Sequence, residues 1–409
     1  MCGEWNSLKE LKVESAAGGR NAGLNNNIEK AVPISLGSIK KLDSNRIKTG
    51  IEEFDLVLGD GMVPGSVLLL GGQPGVGKST LVWQVACTMK GRVVYVAGEE
   101  SPSQIKLRAE RLGKNSSDII IFENQDISSW LEQLEQIKPD LLIIDSIQTV
   151  FDSQAAGSPG SLLQVKHCAL KVIGAAKRLN IATIIIGHVT KEGEVAGPKT
   201  LEHLVDAVFY LEGEKGAAER FLRSQKNRFG PTEEMGVFVL QENGLTSATD
   251  FGRLKPRADL PVGLARCAVI EGSRVYFIEV QALVQKSNFG FPRRNAVGYD
   301  LNRLQMMTAI LSRHTKIDLS SHDAYVNISD AYRLKDPIGD LAVISALASS
   351  YVNKSITGNK LVLGEVDLAG RIHLPEYSKK IIKTAIKIGY QIPAVSTSSL
   401  EQMLGKLFI

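Results

Sequence analysis

A glycine-rich stretch in the first quarter of the sequence has the spacing of a loop that binds nucleotide phosphates. Residues 72–79 fit the pattern G-x-x-x-x-G-K-[ST] between a predicted strand and a predicted helix. Glycines let backbone N–H groups face phosphate oxygens, and the helix directs its positive dipole end there. Lys78 is expected to reach the β- and γ-phosphates, and the Ser79 hydroxyl to ligate Mg²⁺. The predicted ATP-binding residues are Gly72, Gln73, Pro74, Gly75, Val76, Gly77, Lys78, Ser79 and Thr80.

Acidic residues farther along the chain could complete a site that hydrolyses ATP. Residues 141–145 read Leu-Leu-Ile-Ile-Asp, and Asp145 is expected to hold Mg²⁺ through water. Glu99 and Glu100 follow another apolar run, where a carboxylate could orient and deprotonate the attacking water. A solvated acidic turn is the alternative interpretation, and spacing does not separate Glu99 from Glu100.

Three other polar residues are candidates for the same chemistry. His188 ends an apolar run, where a side chain could sense the γ-phosphate, although a lone histidine is often a structural residue. Lys226 and Arg228 belong to the sequence Lys-Asn-Arg-Phe-Gly, and two cations around a turn could complete the site of a neighbouring subunit. Composition alone favours a basic surface cluster for this pair.

The elements that must position these residues alternate along the chain. Short apolar runs without polar alternation, which are typical of strands covered on both faces, lie at residues 67–70, 93–97, 141–144 and 183–186. A helix with one apolar face is predicted over residues 161–179. Alternating strands and helices indicate a parallel sheet. A second α/β unit is predicted after Pro256, with a strand at 275–280 and helices at 339–349 and 377–388.

The composition indicates a protein of about two domains in a reducing compartment. The 409 residues are 44% hydrophobic and 22% charged, and no apolar run is long enough for a membrane span. The four cysteines, Cys2, Cys87, Cys168 and Cys267, are scattered, which fits the cytoplasm and no disulfide framework. A net charge of +4 permits nucleic-acid binding without arguing for it.

Four stretches taken together resemble the bacterial RadA (Sms) family of RecA-like DNA repair ATPases. They are residues 49–55 (Thr-Gly-Ile-Glu-Glu-Phe-Asp), the phosphate loop, residues 98–101 (Gly-Glu-Glu-Ser) and the pentapeptide at 226–230. The pentapeptide is that family's signature, so the resemblance implies a functional role for Lys226 and Arg228. It also implies a homo-hexameric ring, binding to single-stranded and branched DNA, branch migration and a recombinase partner.

The resemblance extends over nearly the whole chain and suggests three segments. Residues 1–45 correspond to a zinc-module remnant and a linker rich in Gly, Asn, Ser and Ala, residues 46–255 to a RecA-like ATPase domain, and residues 256–409 to a Lon-protease-like α/β domain. The family's zinc module has four cysteines. Only one of them has a counterpart in this chain, which is Cys2. A structural zinc needs four ligands, so no zinc is expected in this chain.

A protease activity is disfavoured by one residue. In the turn that carries the Lon nucleophile, Ile338 occupies the place of the serine, which leaves Lys380 with nothing to activate. The lysines at 379, 380, 383 and 387 could form a solvated helix face or a DNA-facing surface. Loops at about 153–161 and 191–200, with Lys191 and Lys199, are expected to contact single-stranded DNA. A RecA-like ATPase acting on proteins is the remaining alternative.

Overall fold

The computed structural model divides the chain into two units, Met1–Ser44 and Asn45–Ile409. It describes residues 35, 46–113, 118–187, 198–214, 216–248, 252, 254–288, 291–393 and 399–408. The Cys2 fragment, nearly all of the predicted linker, His188 and Lys191 lie outside the described residues, as does the side chain of Lys199. The described helices and strands all belong to the larger unit, Asn45–Ile409.

The secondary structure follows the predicted alternation of strands and helices. The first part comprises α1 (Glu52–Leu58), β1 (Val67–Gly72), α2 (Lys78–Thr88), β2 (Val93–Ala97), α3 (Pro102–Arg111), β3 (Ile119–Phe122), α4 (Leu134–Ile137), β4 (Leu141–Asp145), α5 (Leu162–Leu179), β5 (Ala182–Ile186), α6 (Pro198–Leu201), β6 (Ala207–Glu212), β7 (Glu219–Asn227), β8 (Met235–Gln241) and β9 (Gly244–Ser247). The second part comprises β10 (Leu264–Glu271), β11 (Arg274–Lys286), β12 (Arg294–Val297), α7 (Leu301–His314), β13 (His322–Ile328), α8 (Asp340–Val352), β14 (Glu365–Val366), β15 (Ile372–His373), α9 (Ser378–Lys387) and α10 (Leu400–Leu407).

A nine-stranded sheet forms the centre of the first part, in the order β3-β2-β4-β5-β1-β6-β7-β8-β9. The strands from β3 to β6 are parallel, whereas β6 to β9 are antiparallel. The strands β1, β2, β4 and β5 are buried along their whole lengths. Their side chains enter two cores, one with α1 and α2 and the other with α5. The prediction of a RecA-like parallel sheet is therefore confirmed.

Helix α5 illustrates how the local sequence sets an element. It begins after Ser161, whose side chain accepts a hydrogen bond from Gln164 N, and it ends at Asn180 in the left-handed conformation. Its apolar face, including Val165, Ala169 and Val172, is buried against the sheet. Among the described residues, none of the helices has the length and hydropathy needed to span a membrane.

The second part is a smaller α/β layer built on a four-stranded sheet in the order β10-β11-β13-β12. Helix α8 is buried on all sides from Asp340 to Ser349. Strand β11, helix α8 and helix α9 occupy the predicted strand and helix positions. The core of this layer continues into Phe221, Met235 and Val237 of strands β7 and β8. The two parts therefore share apolar packing.

Ion pairs join the turn between β10 and β11 to the first part of the structure. Arg223 donates from Nη1 and Nη2 to the Glu271 carboxylate, at 2.8 and 3.2 Å, and the Tyr332 hydroxyl donates to the same group. Arg274 donates to Oε1 of Glu53 at 2.7 Å. The Glu53 carboxylate is fully buried and also accepts from a backbone N–H of β8. A buried charge requires such partners, so this contact connects the two parts closely.

Replacing Arg274 by alanine should destabilise the protein. The Glu53 carboxylate would lose the guanidinium that pairs with it while remaining buried, and we expect the free energy of unfolding to fall by about 2–3 kcal/mol. Arg257→Ala is the matched control, because Arg257 pairs with Asp259 where both side chains are largely exposed, and it should have a much smaller effect. Chemical denaturation followed by circular dichroism measures both. Equal effects would contradict the prediction.

Candidate active site

The parallel sheet brings the predicted phosphate loop and the predicted acidic residues to one edge. Strands β1, β2 and β4 end at Gly72, Ala97 and Asp145, and the carboxyl ends of parallel strands face the same side. Residues 98–101 form an acidic turn after β2. Gly98 N donates to the Asp145 carbonyl at 2.7 Å, which holds this acidic turn against the end of β4. A Cβ at Gly98 would lie 1.7 Å from Thr149 Oγ1, so only glycine fits this contact.

The phosphate loop has the backbone conformation that its glycines allow. Gly72, Gly75 and Gly77 have φ values of +151°, +77° and +112°, which side chains with a Cβ rarely adopt. Helix α2 begins directly after Gly77, and its N-cap position supplies no side chain to its first N–H groups. Those N–H groups and the helix dipole suit the phosphates of a nucleotide. The buried guanidinium of Arg220 donates to the Val76 carbonyl at 3.0 Å, which helps to hold the loop in place.

Lys78 lies at the centre of this loop. Its side chain is buried, and its Nζ donates to the carbonyls of Gly72 and Gln73 at 2.8 and 3.1 Å. Burial lowers the pKa of Lys78 to about 8, although the charges of Asp145 and Glu99 act in the opposite direction. An ammonium that donates to carbonyls within a loop of N–H donors is well placed to receive an anion such as a phosphate.

A hydroxyl and a carboxylate suited to Mg²⁺ lie beside the loop. Ser79 Oγ donates to Oδ1 of Asp145 at 3.1 Å, and Oδ2 of the same carboxylate accepts from the Tyr95 hydroxyl. Asp145 is buried at 6% exposure, so its orientation is set by these partners. Mg²⁺ prefers oxygen ligands and uses few protein groups when a nucleotide phosphate supplies the others. These residues therefore fit the predicted metal.

The structure separates Glu99 from Glu100, which the spacing could not do. The Ser146 hydroxyl donates to Oε1 of Glu99, an exposed residue whose charge acts on Lys78. Glu100 lies instead beside Arg108, with Nη1 of Arg108 at 2.9 Å from Oε2 of Glu100. Of the two acids, Glu99 is therefore the one oriented towards the phosphate loop.

The basic pentapeptide lies at the opposite edge of the sheet. Gly72 pairs with Leu211 at the carboxyl end of β6, whereas Asn227 pairs with Ala207 at its start. Lys226 donates from Nζ to the carbonyls of Glu202 and Val205 at 2.8 and 2.7 Å. Burial, and then the charge of Arg228, lowers the pKa of Lys226.

Arg228 is the more accessible cation of the pair. Its side chain is 56% exposed, and its Nη1 lies 3.6 Å from Oδ1 of Asp206. Neither Lys226 nor Arg228 therefore reaches the phosphate loop of its own chain.

Sequence reasoning missed the buried polar residues that support the site. Tyr95 and Arg108 carry no motif, although a tyrosine within the apolar run of β2 must find a partner for its hydroxyl. Ser146 and Arg220 were also missed. Ser146 contacts Glu99 and Arg220 contacts Val76, and sequence spacing does not reveal hydrogen bonds between such distant segments.

The turn compared with that of Lon is a structural element here. Asp336 Oδ1 accepts from Ile338 N at 3.0 Å and from the Tyr377 hydroxyl at 2.6 Å. Ile338 is fully buried, and Lys380 Nζ donates to the Ser273 carbonyl at 2.9 Å. Ile338 is thus a core residue, and Lys380 contacts the turn between β10 and β11.

Comparisons with known proteins identify relatives of this chain. An AAA domain family matches residues 35–194. The DNA repair protein RadA of Bacillus subtilis (strain 168) is 37% identical over 98% of this chain and 89% of its own. That of Streptococcus pneumoniae (strain ATCC BAA-255 / R6) is 40% identical over 98% of this chain and 100% of its own. A solved RadB recombinase aligns with 49% of this chain and 99% of its own, at 24% identity and a TM-score of 0.40.

The low pKa of Lys78 predicts how catalysis depends on pH. Because kcat/KM reports groups of the free enzyme, kcat/KM for ATP should fall as the pH rises through about 8, where the buried ammonium loses its proton. Bound phosphates favour the protonated form, so kcat should stay level to higher pH. Steady-state phosphate release at constant ionic strength measures both. A kcat/KM that remains level to about pH 9.5 would contradict the prediction.

Proposed function

The chain belongs to the RadA family of bacterial DNA repair ATPases, and from this premise we propose that it is an ATP-driven motor that binds single-stranded DNA and processes branched recombination intermediates. The observation that supports the proposal most strongly is the meeting of Lys78, Ser79, Asp145 and Glu99 at one edge of a RecA-like sheet. This set has the cation, the metal ligands and the base that phosphoryl transfer to water requires.

Each residue of the proposed site has a distinct task. The N–H groups of the loop and of α2 hold the phosphates, and Lys78 exchanges its carbonyl partners for the β- and γ-phosphate oxygens. Ser79 and Asp145 would hold Mg²⁺, which neutralises charge on the transferring phosphoryl group when bound. Glu99, held by Ser146, orients the attacking water and accepts its proton.

We propose that Arg228 acts on the nucleotide of a neighbouring subunit, as an arginine finger does in a homo-hexameric ring. The support is geometric, because the pentapeptide lies at the edge of the sheet opposite the phosphate loop while Arg228 stays accessible. The ammonium of Lys226 is occupied by carbonyls of its own chain, so we assign it to positioning the pentapeptide. Arginine fingers contribute about 10³–10⁵ in rate in GTPases that have a phosphate loop.

The loop after β4 has contacts suited to a DNA-binding element. Asp152 is buried and accepts from His167 and Lys171 of α5. The Gln164 amide donates to the Asp152 and Ala155 carbonyls at 3.1 and 3.0 Å. These bonds pre-order a loop that would otherwise lose entropy on binding. The second proposed DNA loop, at 191–200, lies mostly outside the described residues.

The proposal also includes a cytoplasmic location and a recombinase partner.

DNA dependence of hydrolysis tests the proposed motor against a RecA-like ATPase that acts on proteins. Single-stranded DNA should stimulate the ATPase, and DNA affinity should fall steeply with salt because bound counterions are released. Lys191→Ala with Lys199→Ala should weaken binding, whereas Lys383→Ala with Lys387→Ala is the matched pair on α9. Fluorescence anisotropy with labelled oligonucleotides measures this. If only the α9 pair weakens binding, DNA runs over the C-terminal part, and no stimulation at all would refute the motor.

Mixing two inactive variants tests whether Arg228 acts in trans. Lys78→Ala removes the loop cation and Arg228→Ala removes the finger, so each protein alone should be nearly inactive, with losses on the order of 10²-fold or more. Within a mixed ring some interfaces would pair an intact loop with an intact finger, and ATPase activity should partly return. Co-assembly is verified by mass measurement. Co-assembled rings that stay inactive would show that Arg228 serves another role.

A further inference from the structure

A chain of buried polar side chains lies behind the Asp145 carboxylate. Tyr95 of β2 is 1% exposed, and its hydroxyl donates to Oδ2 of Asp145. Arg108 of α3 donates from Nη2 to the Tyr95 hydroxyl at 3.2 Å. The other terminal nitrogen of Arg108 lies 2.9 Å from Glu100. The contacts therefore run without a break from the acidic turn to the proposed metal site.

The chemistry of these groups sets the direction of the hydrogen bonds. A guanidinium has donors and no acceptor, so the phenolic oxygen of Tyr95 must accept from Arg108. The single proton of Tyr95 is then directed at Asp145, which as a carboxylate can only accept. Oδ2 of Asp145 is thereby engaged, and Oδ1 is directed towards Ser79.

Helix α2 braces the same contacts. Trp83 of α2 packs edge-on against the Tyr95 ring, with centroids 5.5 Å apart. The Arg108 guanidinium lies over the Trp83 ring at 5.7 Å, in a cation–π contact. Because α2 also begins the phosphate loop, the positions of Tyr95 and Arg108 are tied to the helix that carries Lys78 and Ser79.

We propose that Tyr95 and Arg108 are positioning residues that orient the Asp145 carboxylate towards Mg²⁺ and connect it to Glu100. Neither side chain touches the nucleotide, and each acts through Asp145. Glu100 thus has a role different from that of Glu99, since its partner is Arg108 rather than the attacking water. The inference rests on the proposed function, because it concerns Mg²⁺-dependent ATP hydrolysis.

Tyr95→Phe tests the inference, since it removes one hydroxyl and keeps the ring against Trp83. The Mg²⁺ concentration that half-saturates binding of N-methylanthraniloyl-ATP should rise about tenfold, because Asp145 loses a hydrogen bond that orients it. The value of kcat at saturating Mg²⁺ should change by less than about threefold. Tyr299→Phe is the matched control, because the buried Tyr299 hydroxyl donates to Asp340 beside Arg303, at 2.7 Å and away from the loop. It should leave the Mg²⁺ dependence unchanged.

Arg108→Ala provides a second, independent test that leaves Tyr95 in place. It should shift the Mg²⁺ dependence in the same direction, and the shift should not add to that of Tyr95→Phe in the double variant, because Arg108 acts through Tyr95. An unchanged Mg²⁺ dependence in either single variant that retains the wild-type melting temperature, or an equal shift in Tyr299→Phe, would overturn the inference. A wild-type protein without Mg²⁺-dependent ATP binding or hydrolysis would instead refute the proposed function.

Discussion

The carboxylate of Asp145 is the point where the sheet, the phosphate loop and the acidic turn meet. It ends a strand buried on both faces, and a buried carboxylate must have its oxygens satisfied. Ser79 and Tyr95 satisfy one oxygen each, while the backbone carbonyl of the same residue accepts from Gly98. Three separate segments are thereby held within hydrogen-bonding distance of one another. The proposed phosphoryl-transfer site depends on this single constraint, because its residues must be held in fixed positions.

The sheet topology also explains why the pentapeptide and the phosphate loop have different neighbours. Strand β6 continues the parallel order beside β1, and β7 then reverses direction, which carries residues 226–230 back to the amino-terminal edge. The predicted phosphate loop therefore lies at one edge of the sheet, and the accessible Arg228 lies at the other. The proposed ring would use this arrangement, because a heterologous interface joins two different edges of neighbouring subunits.

The C-terminal part is connected to this framework by charge as well as by apolar packing. The pairs of Arg274 with Glu53 and Arg223 with Glu271 lie at the turn between β10 and β11. Arg223 belongs to β7, which neighbours the strand next to the phosphate loop, so a shift of that strand would strain the ion pair. Close-packed interfaces transmit such shifts rather than absorb them. The small α/β layer is thus joined to the nine-stranded sheet by both ion pairs and apolar packing.

The sequence by itself determined the positions of the phosphate loop and the central strands, and it indicated that Asp145 ends one of these strands. Local spacing and uninterrupted apolar runs carry that information. It also predicted the second α/β unit. Tertiary structure alone distinguished the positions of Glu99 and Glu100, because their partners Ser146 and Arg108 lie on other segments. The contacts of Tyr95 and Arg220 were hidden for the same reason. The edge of the sheet on which Arg228 lies depends on how β6 and β7 pair. The sequence does not show these contacts, because a hydrogen bond between segments far apart in the chain leaves no periodicity in it.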